Sequence, residues 1–166
     1  MPKTSKRETP TNLLAVIRVR GRVDVRPEVK HTLSLLRLHK PNHCVLVKNE
    51  TPIQGMLQVA KDWITWGEIN RDNLEKLLKK RAYLSEGQKG LSEEYVKENT
   101  SHESMSDLIE ALLATKNTIK EIKGLKPVFR LNPPRKGYSG VKNAYTKGGA
   151  LGYRGKAINE LLRQMI

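Results

Sequence analysis

Strand-like and helix-like patterns alternate in the first part of this chain, and their order constrains the fold more than any other feature. Apolar side chains occupy every second position from Leu13 to Val19, and the intervening positions end with Arg18 and Arg20. This period of two predicts a strand that is covered on one side. Pro27 then opens a run with helical spacing, because proline is well suited to a first helical position.

The same alternation continues to residue 69. A short run rich in β-forming residues covers residues 43–48, and Thr51 with Pro52 begins a second helical pattern. Residues 63–69 are again rich in strand formers and end the unit at a glycine-containing turn. The predicted order is therefore β-α-β-α-β in fewer than 60 residues.

The charge of the chain points to a polyanionic partner. Its 166 residues include 31 lysines and arginines against 17 aspartates and glutamates, a net charge of +14. Residues 1–50 carry +7 and residues 111–166 carry +10, whereas residues 51–110 carry −3. This distribution would let two distant segments form one surface for nucleic acid while the middle segment stays clear of phosphate.

The sequence argues against a membrane protein, a metal-binding protein and a disulfide-bonded protein. No apolar run is long enough to span a membrane, and the basic residues 1–11 are not followed by the apolar stretch of a secretory signal, so we expect a cytoplasmic protein without a membrane partner. Cys44, the single cysteine, lies in an apolar run and is expected to pack as a small hydrophobic residue. The four histidines lack cysteine companions and zinc-type spacing, so no metal site or other cofactor is predicted.

Catalysis has little support in the sequence. The candidate nucleophile, acids and bases are Cys44, His43, Asp24, Glu28 and Glu68. Both glutamates have ordinary roles, one in a first helical turn and one at a strand end. A phosphate-binding loop ending at residues 155–156 would lack the required glycine and hydroxyl residues. We therefore predict that the chain is not an enzyme.

Two helices are predicted in the middle segment. Asp72 and Glu75 form a start that resembles a capping box, before leucines at helical spacing. A second start at Ser104 precedes further apolar residues, and Gly124 is the expected stop. Two stretches between them are interpreted as loops, residues 85–90 and 97–104. We expect a helical cap on the core sheet, with a spacer that contacts protein or RNA as the alternative.

Residues 133–157 have the most distinctive composition. They contain six basic residues, six glycines, three tyrosines and no acid. Glycines let the backbone approach a phosphate, arginine matches phosphate oxygens, and Tyr138, Tyr145 and Tyr153 are suited to stacking on unpaired bases. Because this composition cannot bury a core by itself, we expect RNA to order the segment, with a solvated tail as the alternative. Two predicted elements flank it, a strand at residues 128–131 and a helix at residues 157–165.

Taken together, these segments resemble the large-subunit ribosomal protein L30 family. Four motifs are similar to the core of that family: RGRVDVRP, TLSLLRLHKPNHCVLVKN, TPIQGM and WITWGEI. Two more are similar to the tail of its long archaeal form, whose eukaryotic relative is L7: KPVFRLNPPRKGYSGVK and KGGALGYRG. The short bacterial form would match only about residues 13–69, whereas the long form covers nearly everything after residue 10.

The resemblance implies both a fold and a function. The fold would be an α+β protein whose three-stranded antiparallel sheet carries both helices on one face. The function would be that of a structural constituent of the large ribosomal subunit, present in one copy, which binds ribosomal RNA and neighbouring ribosomal proteins. The 5S RNA is a further candidate partner. A free RNA chaperone or a ribosome assembly factor with the same core is the alternative.

These observations divide the chain into four segments and assign two RNA-binding surfaces. The segments are a flexible leader at 1–10, a ferredoxin-like ribosomal core at 11–69, a helical lobe at 70–124, and a basic RNA-binding extension with a terminal helix at 125–166. The first surface is the turn and helix start that carry Arg18, Arg20, Arg22, Arg26 and Lys30. The second lies in the extension and comprises Arg130, Arg135, Lys136, Tyr138, Lys142, Lys147, Arg154 and Lys156.

Overall fold

A computed structural model describes residues 12–166 and shows an α+β protein with one mixed sheet. The leader predicted at residues 1–10 lies outside the described residues. The strands are β1 (Leu13–Arg18), β2 (His43–Lys48), β3 (Ile64–Glu68), β4 (Val128–Arg130) and β5 (Gly152–Tyr153). The helices are α1 (Pro27–Leu35), α2 (Thr51–Val59), α3 (Arg71–Arg81), α4 (Glu93–Asn99), α5 (Met105–Leu113) and α6 (Ile158–Met165).

The sheet is wider than the three strands that the family resemblance implies. Its order is β4-β2-β1-β3-β5, with β1 antiparallel to both β2 and β3 and with β4 antiparallel to β2. The last strand, β5, runs parallel to β3. The predicted three-stranded antiparallel sheet is therefore the centre of a five-stranded mixed sheet. The carboxyl-terminal segment supplies both edge strands, which pair with N–H and C=O groups that a sheet edge otherwise leaves open.

Helices cover both faces of the sheet, so the expectation of a strand covered on one side is wrong for β1. On one face, Leu14 and Val16 pack with Val29 of α1 and Leu57 of α2. On the other face, the alternate residues of β1, Ala15 among them, pack against buried residues of α3, α5 and α6. Because β1 is the central strand between two helical layers, all six of its residues are buried.

The predicted helices of the middle segment exist, but their ends differ from expectation. The side chain of Asn70, not a capping box at Asp72, accepts the hydrogen bond that starts α3, from the N–H of Asn73. Ser104 caps α5 as predicted. This helix ends at Leu113, well before Gly124, and α4 occupies part of a stretch interpreted as a loop. Short capping contacts therefore set the boundaries more than the apolar periodicity does.

One buried cluster joins the three predicted segments that the structure describes. It contains residues of the central strands, of α3, α4 and α5, and of α6. The middle helices thus form a layer on the second face of the sheet. The boundaries near residues 69 and 124 remain predictions, since this core is continuous across both.

A hydrogen-bonded asparagine attaches α6 to the rest of the protein. Asn159 is nearly buried, and its Nδ2 donates to the carbonyl oxygens of Glu68 and Lys156 at 2.9 and 3.0 Å. Its Oδ1 accepts from the backbone N–H of Asn70 at 2.9 Å. A single side chain therefore links the end of β3, the start of α3 and the start of α6, and it satisfies polar groups that burial would otherwise leave unpaired.

The thiol of Cys44 should be chemically inert in the folded protein. The side chain is fully buried, as the sequence predicts, and burial raises the pKa of the thiol to about 12. The reactive thiolate is therefore scarce until the protein unfolds. We expect iodoacetamide at mildly alkaline pH to leave Cys44 unmodified in the native protein and to modify it readily in denaturant, as measured by intact mass. Equal rates in the two conditions would contradict this packing.

Candidate nucleic-acid interface

The strand directions bring both basic segments to the same end of the sheet. β1 and β4 end there, while β2, β3 and β5 begin there. Backbone hydrogen bonds join the segments: Asn42 N donates to the carbonyl oxygen of Arg18 at 2.8 Å, and Leu131 N donates to that of Asn42 at 3.1 Å. We call this surface the basic end and define it as residues 18–30, 37–43 and 130–151.

Side-chain contacts also join the segments of the basic end, next to the end of β1. The hydroxyl of Tyr138 donates to Oδ1 of Asn42 at 2.6 Å. Val19 is buried together with Ala150 and Leu151, and Tyr138 packs against them. Residues separated by more than a hundred positions in the sequence therefore form one continuous surface.

The glycine-rich segment has a structure of its own, which differs from the expectation that only RNA would order it. Tyr145 N donates to the carbonyl oxygen of Leu151 at 2.7 Å, and Ala150 N donates to that of Gly140 at 3.1 Å. A Cβ at Gly149 would lie 2.0 Å from the carbonyl oxygen of Asn143, so this tight loop requires glycine there. The segment compensates for its few apolar residues with backbone hydrogen bonds and with the packing described above.

The basic end concentrates positive charge, and the described residues form no ion pair with it. Residues 18–30, 37–43 and 130–147 contain twelve basic and two acidic side chains. The ion pairs found among residues 12–166, Arg71 with Glu110 and Lys79 with Glu75, both lie in the middle helices. Since no carboxylate pairs with the basic end in the described structure, a polyanion can occupy it without displacing one.

The pKa of His43 is lowered at this end of the sheet. Burial lowers the pKa of the imidazole, and Arg130, His39, Lys40 and Arg18 lower it further because each disfavours another positive charge. His43 is therefore expected to be neutral at physiological pH. His43 therefore adds no charge to the basic end, and its lowered pKa is due in part to the cations around it.

Arg18, a predicted RNA contact, is an internal arginine in the structure. Only 4% of the residue is exposed. Its Nη1 donates to the carbonyl oxygen of Leu38 at 2.7 Å, and its Nη2 and Nε donate to those of Gly21 and Arg20, each at 2.9 Å. The guanidinium therefore holds the turn after β1 against the segment before β2. Burial lowers the pKa of Arg18, and the charge of Arg22 lowers it further.

The other predicted residues of the first surface are accessible. The guanidinium of Arg20 lies over the ring of Trp63, 5.0 Å from its centroid, which fixes its orientation. Arg22 is exposed and donates from Nε and Nη2 to the carbonyl oxygen of His39, both at 3.2 Å. Arg26 and Lys30 are exposed at the start and in the first turn of α1.

The extension contributes exposed cations between two anchors. Two residues of the extension, Leu131 and Tyr138, are hydrogen-bonded to Asn42. Arg135 and Lys136 lie between them in the sequence. Both are exposed, as are Lys142 and Lys147 in the glycine-rich loop and Lys156 in a short 3-10 turn at residues 155–157. The first four belong to the basic end, so the structure groups them with the first predicted surface.

Arg154 and the tyrosines differ from one another in their surroundings. Half-buried Arg154 donates from Nε to Thr65 Oγ1 at 2.8 Å and from Nη2 to the carbonyl oxygen of Ala150 at 2.7 Å, and it lies 4.9 Å from the centroid of the Tyr145 ring.

Tyr138 is partly buried, and burial raises its pKa. Tyr153 lies towards the other end of β3, where its hydroxyl donates to Glu68 Oε1 at 2.6 Å. Tyr145 is thus the tyrosine with an exposed ring at the basic end.

A cluster of cations around Tyr83 is not predicted by the sequence patterns. Three cations surround its ring: Arg130 at 5.4 Å, Lys126 at 5.6 Å and Lys89 at 5.8 Å from the centroid. The middle segment, expected to stay clear of phosphate, therefore contributes Tyr83 and Lys89 next to a predicted contact residue. No local pattern indicates this cluster, because its members come together only through the packing of the middle helices beside β4.

Other kinds of site are not found in the described residues. Within residues 12–166 no group of three or more histidine, cysteine, aspartate or glutamate side chains is placed to hold a metal ion. Across the same range, no helix is both long and apolar enough to cross a membrane.

These features define a basic α+β protein whose sheet presents a cationic end that forms no ion pair among residues 12–166. The model of the family described as ribosomal protein L30p/L7e matches residues 14–64. The large ribosomal subunit protein uL30 of Thermoplasma volcanium is 49% identical over 154 residues, covering 93% of each chain. Its counterpart in Nanoarchaeum equitans is also 49% identical, covering 93% of this chain and 99% of its own. The chain belongs to the ribosomal protein L30p/L7e family.

This membership confirms two expectations from the sequence. The long relatives match far beyond residues 14–64, and the protein of Methanosphaera stadtmanae, 46% identical, is matched over its full length. The resemblance to the long archaeal form is therefore confirmed. A member of this ribosomal protein family is a structural component and not an enzyme, as predicted.

Proposed function

We propose that the basic end binds ribosomal RNA of the large subunit through phosphate contacts, and that the protein acts as a structural constituent of that subunit. One observation carries the proposal: two basic segments from opposite ends of the chain meet at one end of the sheet, where no carboxylate of the described residues pairs with them. Phosphate contacts supply most of the affinity in such interfaces and need exposed cations on a rigid support.

The proposed contact set comprises the exposed residues of both predicted surfaces. Arg18 is assigned a positioning role, because its guanidinium is engaged by three carbonyl oxygens and orients the turn that carries Arg22. Arg154 likewise positions the loop that contains Lys147, through its bond to the Ala150 carbonyl. Such fixed turns hold contact residues in place, which lowers the entropic cost of binding.

Binding should depend steeply on salt concentration. We expect the intact protein to bind fragments of large-subunit ribosomal RNA with a log-log salt slope of about 0.7 to 0.9 per phosphate contact, because binding releases condensed counterions. The measurement is affinity by filter binding or fluorescence anisotropy over a salt series. A slope near zero would contradict a phosphate-based interface.

The partners and stoichiometry are part of the same proposal. A structural constituent should remain with the large subunit in one copy, beside neighbouring ribosomal proteins, whereas a chaperone or assembly factor should leave mature subunits. Quantitative mass spectrometry of salt-washed subunits separates these functions. Crosslinking on intact subunits identifies the contacted RNA and tests whether 5S RNA is among it.

A further inference from the structure

A cavity of about 230 Å³ lies between the glycine-rich loop and α6, beside the basic end. Tyr138, Tyr145 and Arg154 line it, together with the backbone of Gly149. Glu160 from α6 faces the same space. The volume is enough for one planar heterocycle with part of its sugar, and too small for a folded segment of another protein.

Two walls of this cavity are flat and rigid. The guanidinium of Arg154 lies over the ring of Tyr145, and its bonds to Thr65 and Ala150 hold it there. Tyr138 is held in turn by its hydrogen bond to Asn42. Aromatic rings and guanidinium planes are the surfaces on which proteins stack unpaired RNA bases.

The α6 wall carries polar groups without partners. Glu160 and Gln164 lie one turn apart and both line the cavity, and within residues 12–166 neither side chain has a hydrogen-bond partner. Glu160 is one of only two acids after residue 110, the other being Glu121. A carboxylate in a cationic interface repels phosphate, but it can accept hydrogen bonds from the N–H groups of a base.

The donor pattern of the bases selects one of them. Guanine presents two adjacent donors, N1–H and the N2 amino group, which match the two oxygens of a carboxylate. Adenine and cytosine place a ring-nitrogen acceptor beside their amino group, and uracil places its single N–H between two carbonyl oxygens. A carboxylate therefore meets an unfavourable acceptor at every base except guanine.

We propose that this cavity binds an unpaired guanine of the RNA, stacked against the Tyr145–Arg154 pair and held at its Watson–Crick edge by Glu160. The inference rests on the proposed RNA-binding function and adds a base-specific site to it. Gln164 lies one turn further along α6, where its amide can reach the guanine O6 or the ribose.

The test is a titration of the intact protein with guanosine, adenosine, cytidine and uridine 5′-monophosphates, followed by backbone amide NMR shifts. Guanosine monophosphate should shift the amides of residues 145–150 and 160–164 and bind at least about tenfold more tightly than the other three, the preference expected of a charged bidentate pair. Equal binding of all four nucleotides, or shifts confined to the exposed cations, would overturn the inference.

Two matched variants each remove one negative charge, one inside the cavity and one outside it. Glu160→Gln should abolish the preference for guanosine monophosphate, whereas Glu121→Gln should preserve it. The same two variants are titrated with ribosomal RNA fragments over a salt series. If the fragments bind with a steep slope but both variants keep the same nucleotide preference, the guanine site is rejected and the proposed function stands. If no fragment binds in a salt-dependent way, the proposed function itself fails.

Discussion

Replacing Arg135, Lys136 and Lys147 with alanine is expected to weaken binding to large-subunit ribosomal RNA about 100-fold at roughly 0.1 M salt. All three side chains are exposed at the basic end and lie on segments anchored to the core. Each lost phosphate contact should lower the salt slope by up to about 1, so the loss should shrink as salt increases. The measurement is a salt series with folded variant and unaltered protein in parallel.

The matched control removes three charges from the middle helices. Lys76, Lys80 and Lys97 are exposed on α3 and α4, outside the segments of the basic end, and no side-chain hydrogen bond or ion pair of theirs is found within the described residues. Their replacement by alanine should change RNA affinity little. Equal losses from the two triple variants would mean that the protein binds as a diffuse polycation and that the geometry of the sheet end is irrelevant.

A methyl group at Gly67 is expected to destabilise the protein by about 3 kcal/mol, the upper part of the range for overpacking. Gly67 lies in β3, and a Cβ there would lie 2.0 Å from the carbonyl oxygen of Gly155 and 3.0 Å from Cβ of Ile158. The backbone of the extension crosses β3 at this point, so it must move away in Gly67→Ala. Urea unfolding measures the free energy, and limited proteolysis shows whether residues 150–166 become accessible.

Gly55 provides a control with the opposite expectation. A Cβ at Gly55 meets no heavy atom within 4 Å. Because Gly55 lies inside α2, Gly55→Ala should stabilise the protein by about 0.5 to 1 kcal/mol, the difference in helix propensity. Unchanged stability in Gly67→Ala would show that the extension does not approach β3 as closely as the structure indicates.

The local patterns were most informative where one short segment contained all the information. β2 and the start of both α1 and α2 lie where the sequence predicts them, because prolines and β-branched residues act on their own backbone. The helix over residues 158–165 is likewise predicted to within one residue. The patterns failed where distant atoms decided: nothing near Arg18 in the sequence indicates the three carbonyl oxygens that surround it.

In the candidate site, too, some features follow from the sequence and others follow only from the fold. By itself the sequence determined which segments are basic, that the acids are concentrated in the middle, and that glycine and tyrosine accompany the cations near the carboxyl terminus. Whether these cations share one surface depended on the order and direction of five strands. The tertiary structure alone also separated positioning arginines from exposed ones and brought Tyr83 to Arg130. The physical reason is that charge and propensity are properties of single residues, whereas strand pairing and burial are properties of residue pairs that the chain brings together only when it folds.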